Sequence, residues 1–327
     1  MNADLRLPDY NDVLAAAARI APHAHATPVL HSRALDELAG CTLHFKCENL
    51  QRGGAFKFRG ACNAVFSLTD EEVARGIVTQ SSGNHGAAVA LAARMRGTTA
   101  TIVAPRSTPR VKLAAIAGYG GRVVPCDTHQ AARDAATAQV LSDTGGVLVH
   151  PFNDARVIAG QGTATMELLC AAPGIDAVIA PVSGGGLLSG TAIAAHGRGR
   201  SIEVYGAEPE GARDAHDSLR SGERITGRVA DTVCDGLRAE LGTLTFPILR
   251  QHVREILLVD DAQVIAAMRL IWERMKLVVE PSGAVPLAVV LANRERFAGR
   301  EVGIVLSGGN VDLDLLPTLL ATAGAAA

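Results

Sequence analysis

Lys57 is the residue of this chain whose surroundings most suggest chemistry. It stands between two phenylalanines in GGAFKFRGA (53–61), with glycines and alanines on either side. Apolar neighbours of this kind withdraw a lysine from water and lower its pKa, which leaves a neutral amine able to attack an aldehyde. Taken alone, the motif is also typical of a lysine that begins a helix and reaches solvent, and that interpretation is the commoner one.

A second motif, SGGGLLSG (183–190), follows the apolar run DAVIAPV and precedes a helical pattern. Flexible backbone amides at the start of a helix bind anions such as phosphate. The motif lacks the Lys-Ser/Thr pair of a triphosphate-binding loop. A dinucleotide is the main alternative, because Glu208 ends the next predicted strand near the usual position of a ribose contact, although Ser189 replaces the third glycine of that fingerprint. A tight turn without a ligand is the third interpretation.

Two further loops have the same character. SSGNHGAA (81–88) lies at another predicted junction of strand and helix, and LSGGNVD (306–312) ends the last predicted strand, with Ser307 at its carboxyl end. Open α/β sheets bind ligands at the carboxyl ends of their strands. Four such loops are more than chain reversal requires, so we predict that they form one pocket.

The elements that must position these loops are short β-rich runs that alternate with longer helical patterns. The predicted strands are residues 76–80, 100–104, 121–125, 176–182, 202–207, 255–259 and 302–306, and the clearest helices are 86–96 and 262–276. This alternation predicts an α/β fold with a parallel sheet covered on both faces. A chain of 327 residues is long enough for two lobes. Because no linker divides it, the lobes are expected to be nested.

The composition favours a small-molecule partner. Lys and Arg number 31 against 33 Asp and Glu, without a basic run, which argues against nucleic acid and anionic membrane surfaces. The six cysteines lack C-x-x-C spacing, which argues against a zinc site and a disulfide framework. No apolar run approaches the roughly 18 residues of a membrane span, and the start lacks the order of a signal peptide. The predicted location is the cytoplasm.

Taken together, the four loops resemble those of fold-type II pyridoxal-phosphate enzymes, in the group of threonine/serine dehydratases, serine racemases and 3-hydroxyaspartate dehydratases. The resemblance runs from about residue 10 to about residue 316 and includes HFKCENLQ, VIAGQGTATMELL and WERMKLVVEPSGAVPLA. It implies two nested three-layer lobes with open, twisted, mostly parallel sheets: a large cofactor domain of residues 1–69 and 151–327, and a small domain of residues 70–150. It also favours a monophosphate over a dinucleotide at the glycine loop.

The resemblance implies a role for each residue that matches the family's motifs. Lys57 would hold pyridoxal 5′-phosphate as a Schiff base and then act as the base for the α-proton. Asn84 would face the 3′-oxygen of the cofactor, and Ser307 its pyridine nitrogen. The complete predicted cofactor site is Phe56, Lys57, Asn84, Ser183, Gly184, Gly185, Gly186, Leu187 and Ser307.

The implied substrate site lies beside the cofactor. Ser81, Gly83 and His85 would receive the substrate carboxylate. Ser82 matches the second base of racemases, or it simply caps the next helix. Arg133 would bind a second carboxylate on the substrate, or it is an ordinary exposed helix arginine.

A metal site is implied in AEPEGARDA (207–215). Glu208, the backbone carbonyl of Ala212 and Asp214 match the ligands of a structural divalent cation in serine racemase-like relatives, and oxygen ligands suit Mg²⁺, Mn²⁺ or Ca²⁺. The alternative is a solvated acidic turn.

The implied activity is that of an ammonia-lyase, or dehydratase, that converts a small β-hydroxy amino acid to a 2-oxo acid and ammonia. Threonine, serine and 3-hydroxyaspartate remain open as substrates, and Phe152 follows the form common in dehydratases. A racemase on the same site is the alternative, and a dinucleotide-dependent oxidoreductase is a remote one. Relatives of this kind imply a homodimer or homotetramer.

Overall fold

The computed structural model describes residues 6–81, 83–197, 199 and 201–323. Ten strands and fifteen helices lie in these ranges. The strands are β1 (Val29–Leu30), β2 (Thr42–Cys47), β3 (Ile77–Gln80), β4 (Ala100–Pro105), β5 (Arg122–Cys126), β6 (Val147–Leu148), β7 (Ala177–Pro181), β8 (Glu203–Pro209), β9 (Glu255–Val259) and β10 (Glu301–Leu306). The helices are α1 (Tyr10–Ile20), α2 (Arg33–Ala39), α3 (Lys57–Phe66), α4 (Asp70–Ala74), α5 (Asn84–Met95), α6 (Arg110–Gly118), α7 (Gln130–Thr144), α8 (Ala155–Ala171), α9 (Gly186–His196), α10 (Asp214–Ser221), α11 (Thr245–His252), α12 (Asp261–Met275), α13 (Pro281–Ala292), α14 (Arg294–Phe297) and α15 (Leu316–Ala323).

The strands form two sheets. The larger has the order β1-β2-β10-β7-β8-β9, and only its edge strand β1 is antiparallel. The smaller has the order β5-β4-β3-β6, and its strands are parallel. The register places Ile304 of β10 between Phe45 of β2 and Ile179 of β7. The prediction of an α/β fold with mostly parallel sheets is confirmed.

Alternation of apolar side chains along the strands explains why helices cover both faces of the large sheet. Ala177 and Ile179 of β7 pack into the core beneath α12 and α13. Val178 and Ala180 of the same strand pack into a second core beneath α9. Because successive residues of a strand point to opposite faces, a strand that is apolar throughout must be covered twice. Three layers result.

The chain forms β1 and β2 of the large sheet, then the whole small sheet, and then returns for β7 to β10. The two sheets are therefore nested along the chain. The predicted boundaries of the lobes, at residues 69/70 and 150/151, stay a prediction. Within the described ranges, no helix is long and apolar enough to cross a bilayer.

Candidate active site

Lys57 is the first residue of α3, and its side chain contacts the loop that follows β6. Its Nζ donates a hydrogen bond to the carbonyl of Pro151 at 2.9 Å. Burial lowers the pKa of Lys57 to about 8, so part of the population carries a neutral amine near neutral pH. The ring of Phe56 lies beside this amine, with its centroid 5.1 Å from Nζ. The structure therefore gives Lys57 the partly desolvated surroundings that its sequence motif suggests.

The segment before Lys57 is hydrogen-bonded to the loop after β10. The N–H of Phe56 donates to the carbonyl of Ser307 at 2.9 Å, and the N–H of Gly309 donates to the carbonyl of Gly54 at 2.9 Å. Gly54 has φ of +73°, and a Cβ atom at this position would collide with the amide of Asn310. Ser307 itself is 2% exposed. These contacts place the start of α3 against the carboxyl end of the large sheet.

The glycine loop connects β7 to α9 and packs against Phe152. A Cβ atom on Gly184 would collide with the Phe152 ring, and one on Gly186 would lie 3.0 Å from the Cβ of Phe152. Gly185 has φ of +89°, which side chains rarely tolerate. The Oγ1 of Thr245 fixes the loop by donating to the carbonyl of Gly184 at 2.7 Å. The N–H groups at the start of α9 thus have the arrangement of an anion-binding helix end.

Two residues of the predicted cradle have other contacts. The hydroxyl of Ser183 donates to the carbonyl of Ala239 at 3.2 Å and accepts from the N–H of Ala239 at 3.0 Å. It therefore holds a neighbouring loop. The side chain of Leu187 is 5% exposed and packs into the core beneath α9. Only the backbone of Leu187 can contact a ligand.

The loop between β3 and α5 combines small residues with one amide. The hydroxyl of Ser81 accepts from the N–H of Gly83 at 3.3 Å. His85 is 2% exposed, and its Nε2 lies 3.3 Å from the carbonyl of Val149. Burial holds the pKa of His85 well below its usual value, and the charge of Lys57 adds to this effect. The ring of His85 is therefore neutral and packed inside. Ser82, the predicted second base, lies outside the described residues.

Asn84 is held by a carboxyl group to which the sequence prediction assigns no role. Its Nδ2 donates to Oε1 of Glu280 at 3.0 Å, and its Oδ1 accepts from Nδ2 of Asn310 at 3.0 Å. Burial raises the pKa of Glu280 to about 8, so this carboxyl is largely protonated at neutral pH. The sequence signal that could have indicated a role for Glu280 is its position as an acidic residue directly before Pro-Ser-Gly at the start of a helix. These bonds join the loop after β3 to the loop after β10.

Arg133 of α7 is half-buried. Its Nε is buried and has no hydrogen-bond partner among the described residues. Burial lowers the pKa of His150 to about 4, and the charges of Lys57 and Arg133 contribute to that shift. Arg133 therefore lies in the same electrostatic neighbourhood as Lys57.

Glu208 and Asp214 form a buried carboxylate pair at the start of α10. Glu208 is 1% exposed, and its two oxygens accept from the N–H groups of Ala215 at 3.0 Å and His216 at 2.8 Å. Asp214 is 5% exposed and accepts from the N–H of Leu241 at 3.3 Å. Within the described part of the chain, no group of three or more His, Cys, Asp and Glu side chains is arranged to hold a metal. Glu208 and Asp214 by themselves are fewer than such a group, and the predicted metal site stays a prediction.

The same contacts exclude the dinucleotide interpretation of the glycine loop. Both carboxylate oxygens of Glu208 are bound to the backbone of α10 and shielded from solvent. A ribose ring is too large to be enclosed beside them, whereas a single ion needs only the carboxylate lone pairs that these two bonds leave free. The helix end at Gly186 can bind a monophosphate without an acidic partner.

Comparisons with known proteins show the family of this chain. The β-hydroxyaspartate dehydratase of Paracoccus denitrificans is 47% identical over 311 residues, which are 95% of this chain and 99% of that protein. A serine racemase of Arabidopsis thaliana is 49% identical over 303 residues, 91% of this chain and 92% of that protein. The solved structure of maize serine racemase gives a TM-score of 0.93 at 45% identity and covers 97% of this chain and 98% of that one. The family described as pyridoxal-phosphate dependent enzyme matches residues 20–308. The chain therefore belongs to the family of pyridoxal-phosphate dependent enzymes, as its loop motifs predict.

Proposed function

We propose that this protein is an ammonia-lyase that converts a small β-hydroxy amino acid to a 2-oxo acid and ammonia, with 3-hydroxyaspartate as its preferred substrate. The observation that carries the proposal is the partly neutral amine of Lys57. This amine contacts the loop after β6, and the segment that precedes α3 is hydrogen-bonded to the loop after β10. The similarity to a protein named β-hydroxyaspartate dehydratase supports the same class of substrate.

The residues of the site fit pyridoxal 5′-phosphate. A Cβ atom could not be added to Gly184, Gly185 or Gly186 without a clash or close contact, which fits a backbone cradle for its phosphate. Asn84 and Ser307 would lie along its ring. When bound, the cofactor withdraws electrons from the α-carbon of the amino acid joined to it.

The chain's own part in the reaction begins at Lys57. Its amine, neutral in part because burial lowers its pKa to about 8, accepts the α-proton of the substrate. The β-hydroxyl takes up one proton as it leaves, so the α-proton and the hydroxyl are lost together as one water. Hydrolysis of the resulting enamine then consumes one water and releases the 2-oxo acid and ammonia. The neutral amide of Asn84 and the largely protonated Glu280 place no full charge beside the ring. Backbone N–H groups at the start of α5 suit the substrate carboxylate.

A panel of serine, threonine and 3-hydroxyaspartate stereoisomers tests this function. We expect ammonia and 2-oxo acid from at least one stereoisomer of 3-hydroxyaspartate, with a higher kcat/KM than for serine or threonine. The enantiomer that remains is measured in the same assay. Inversion without ammonia would instead support the racemase alternative, for which Ser82 is the proposed second base. Turnover of none of these compounds would contradict both.

Arg133 is the residue that we propose to select the dicarboxylic substrate. Its half-buried guanidinium has an Nε without a hydrogen-bond partner among the described residues, and its charge helps to lower the pKa of His150. A shielded, charge-assisted hydrogen bond contributes on the order of 2 to 3 kcal/mol, so Arg133→Ala should lower kcat/KM for 3-hydroxyaspartate by roughly 30- to 150-fold. Serine and threonine should change far less, because they offer no β-carboxylate. Steady-state kinetics at fixed ionic strength measure this difference.

The exposed Arg110 at the start of α6 provides the control, since Arg110→Ala should leave all three substrates unchanged. Equal losses on all three substrates in Arg133→Ala would show that Arg133 does not bind a β-carboxylate.

We also propose that Glu208, Asp214 and the carbonyl of Ala212 hold a divalent cation, Mg²⁺, Mn²⁺ or Ca²⁺. Burial raises the pKa of Asp214 to about 7 and that of Glu208 well above its usual value, and the charge of Asp214 adds to the latter shift. Two buried carboxylates without a cation are unfavourable in their charged form. A cation with oxygen ligands would remove this penalty.

Removal of the cation should make stability depend on pH. Unfolded, Asp214 titrates near 3.8, and in the folded chain it titrates near 7. The folded state then binds this proton more tightly, so the contribution of Asp214 to stability is fully present below about pH 4 and is lost as pH rises towards 7. Excess Mg²⁺ at pH 8 should restore about 2.7 kcal/mol when its concentration is 100 times Kd. Thermal unfolding with chelator or Mg²⁺ at pH 5 and pH 8 measures both effects.

Asp214→Asn is the matched variant, because it keeps the shape of the side chain and removes the charge. It should weaken both the pH dependence and the response to Mg²⁺. A wild-type protein whose stability does not change with chelator or Mg²⁺ at pH 8 would show that the pair is only a buried turn.

The cytoplasmic location and the homodimer or homotetramer also remain proposals. Size-exclusion chromatography with light scattering tests the oligomeric state.

A further inference from the structure

Residues 150–153, which we call the His150 turn, contact both Lys57 and the glycine loop of the candidate site. The carbonyl of Pro151 accepts the hydrogen bond from Nζ of Lys57 at 2.9 Å. The ring of Phe152 fills the space beside Gly184 and Gly186. The conformation of this turn therefore determines where the free amine of Lys57 lies relative to the phosphate cradle.

The far end of the turn is tied to the loop before α11. The Oδ1 of Asn153 accepts from the N–H of Leu244 at 2.8 Å, and its Nδ2 donates to Oγ1 of Thr243 at 3.0 Å. The next residue, Asp154, caps α8 by accepting from the N–H of Arg156. The contacts of Asn153 and Asp154 both lie after Pro151 in the chain. Neither therefore fixes the Pro151 carbonyl that accepts the hydrogen bond from Lys57.

One side chain closes the turn from the other end. The Nδ1 of His150 accepts from the N–H of Asn153 at 2.9 Å and from that of Phe152 at 3.3 Å. The ring also meets the Phe152 ring edge-on, with centroids 4.7 Å apart and an interplanar angle of 89°. A nitrogen that accepts from two N–H groups cannot carry a hydrogen, so the hydrogen of the neutral ring is on Nε2.

We propose that His150 is a positioning residue for Lys57: its Nδ1 closes the turn and so aims the carbonyl of Pro151 at the lysine amine. The inference rests on the proposed role of Lys57 as the base that takes the α-proton. Whenever this amine is not joined to the cofactor, the Pro151 carbonyl directs it. The two hydrogen bonds that Nδ1 accepts also keep the imidazole uncharged, so His150 adds no positive charge beside the amine of Lys57. Loss of Nδ1 leaves two N–H groups unpaired and releases the turn.

Two substitutions separate the two ring nitrogens. His150→Asn keeps an acceptor close to the position of Nδ1, and His150→Gln keeps a polar group close to the position of Nε2. We expect His150→Asn to retain kcat within about threefold of wild type. His150→Gln should lose about 10- to 100-fold in kcat, because a displacement of about 1 Å of a catalytic group has effects of that size. KM should change little in both.

A second measurement does not depend on turnover. In the cofactor-free protein, the rate at which pyridoxal phosphate becomes borohydride-trapped on Lys57 reports the position and protonation of the amine. This rate should be near that of wild type in His150→Asn and lower in His150→Gln. The exposed His129 is the control, since its Nδ1 also accepts from a backbone N–H, that of Ala132 at the start of α7. His129→Gln should change neither kcat nor the rate of trapping on Lys57.

The tautomer of His150 in the wild type can be read from ¹⁵N chemical shifts, with the ring identified by its contact with Phe152. An unprotonated Nδ1 supports the proposal, and a hydrogen on Nδ1 overturns it even if a variant does not fold. Activity retained in His150→Gln but lost in His150→Asn would assign the role to Nε2 and overturn the proposal. Unchanged kcat in both folded variants would also overturn the proposal. A wild type that forms no link at Lys57 would instead contradict the proposed function.

Discussion

Replacement of Lys57 with alanine should lower kcat by at least about 10³-fold, because in the proposed function one amine both anchors the cofactor and accepts the α-proton. The amine is already partly neutral through burial and is held by the carbonyl of Pro151 at 2.9 Å. The other three lysines have different partners: Lys46 donates to Glu167 at 2.6 Å, Lys112 donates to Asp235, and Lys276 donates to the carbonyl of Glu273 at 2.6 Å. The variant should also lose the visible absorbance of the bound cofactor.

Peptide mapping makes this prediction specific. The sequence contains four lysines, Lys46, Lys57, Lys112 and Lys276. After reduction with borohydride, the cofactor should be found on the peptide that contains Lys57. Lys276→Arg serves as the control, since this exposed side chain bonds only a nearby carbonyl, and it should keep both the absorbance and kcat. A label on another lysine would contradict the assignment of the active site.

The parallel strands could be predicted from sequence because most of them are apolar throughout. β7 reads Ala-Val-Ile-Ala-Pro, and β10 reads Val-Gly-Ile-Val-Leu after Glu301. Strands buried on both faces read in this way. The strand β2 was not predicted, because it carries His44 and Lys46 within TLHFKC. Both are buried, and their partners, Glu301 and Glu167, are distant in sequence. A single sequence does not reveal such pairs.

The residues of the candidate site likewise fall into those that the sequence predicts and those that it does not. The glycine loop, Lys57 and Asn84 belong to contiguous motifs at strand ends, so their roles could be predicted from local pattern and family resemblance. Glu280 and His150 were given no role. The contacts of Glu280 with Asn84 span 196 residues. His150 acts on the backbone of its own turn, and that geometry has no signature in composition or spacing.

A buried ionic cluster next to the active site is the second feature with a large expected effect. Arg59 of α3, two residues after Lys57, is fully buried between Glu48 and Glu167. Its Nε and Nη2 donate to Glu48 at 2.7 and 2.8 Å, and its Nη1 and Nη2 donate to Glu167 at 2.7 and 2.8 Å. Lys46 donates to Glu167 as well. Two positive and two negative side chains thus balance one another.

Both carboxylates of the cluster are held by Arg59. Burial opposes the charged form of Arg59, but Glu48 and Glu167 together keep its pKa above the usual value. Glu48 is also fully buried, and its other side-chain partner is the hydroxyl of Thr27. Removal of the guanidinium would leave Glu48 as a buried charge without a counter-ion. The penalty for such a charge is larger than the net gain from the intact pair.

We therefore expect Arg59→Met, which preserves the volume of the stem, to lower the free energy of unfolding by about 3 to 5 kcal/mol. The double variant Arg59→Met with Glu48→Gln should recover part of this loss, because it removes the unpaired charge, and the double-mutant cycle isolates the coupling. Urea unfolding of the cofactor-free protein, followed by circular dichroism and by fluorescence of the single tryptophan, Trp272, measures these values.

Arg269→Met is the matched control, since Arg269 and its partner Glu273 are both about half exposed, at 51% and 53%. An exposed pair of this kind contributes less than about 1 kcal/mol, so the control should unfold almost as wild type does. Because α3 begins at Lys57, a loosened Arg59 should also slow the trapping of pyridoxal phosphate on that lysine. If Arg59→Met were as stable as Arg269→Met, the buried cluster would contribute no more than a surface pair. The start of α3 would then be held by the backbone bonds to Ser307 and Gly309 and by apolar packing alone.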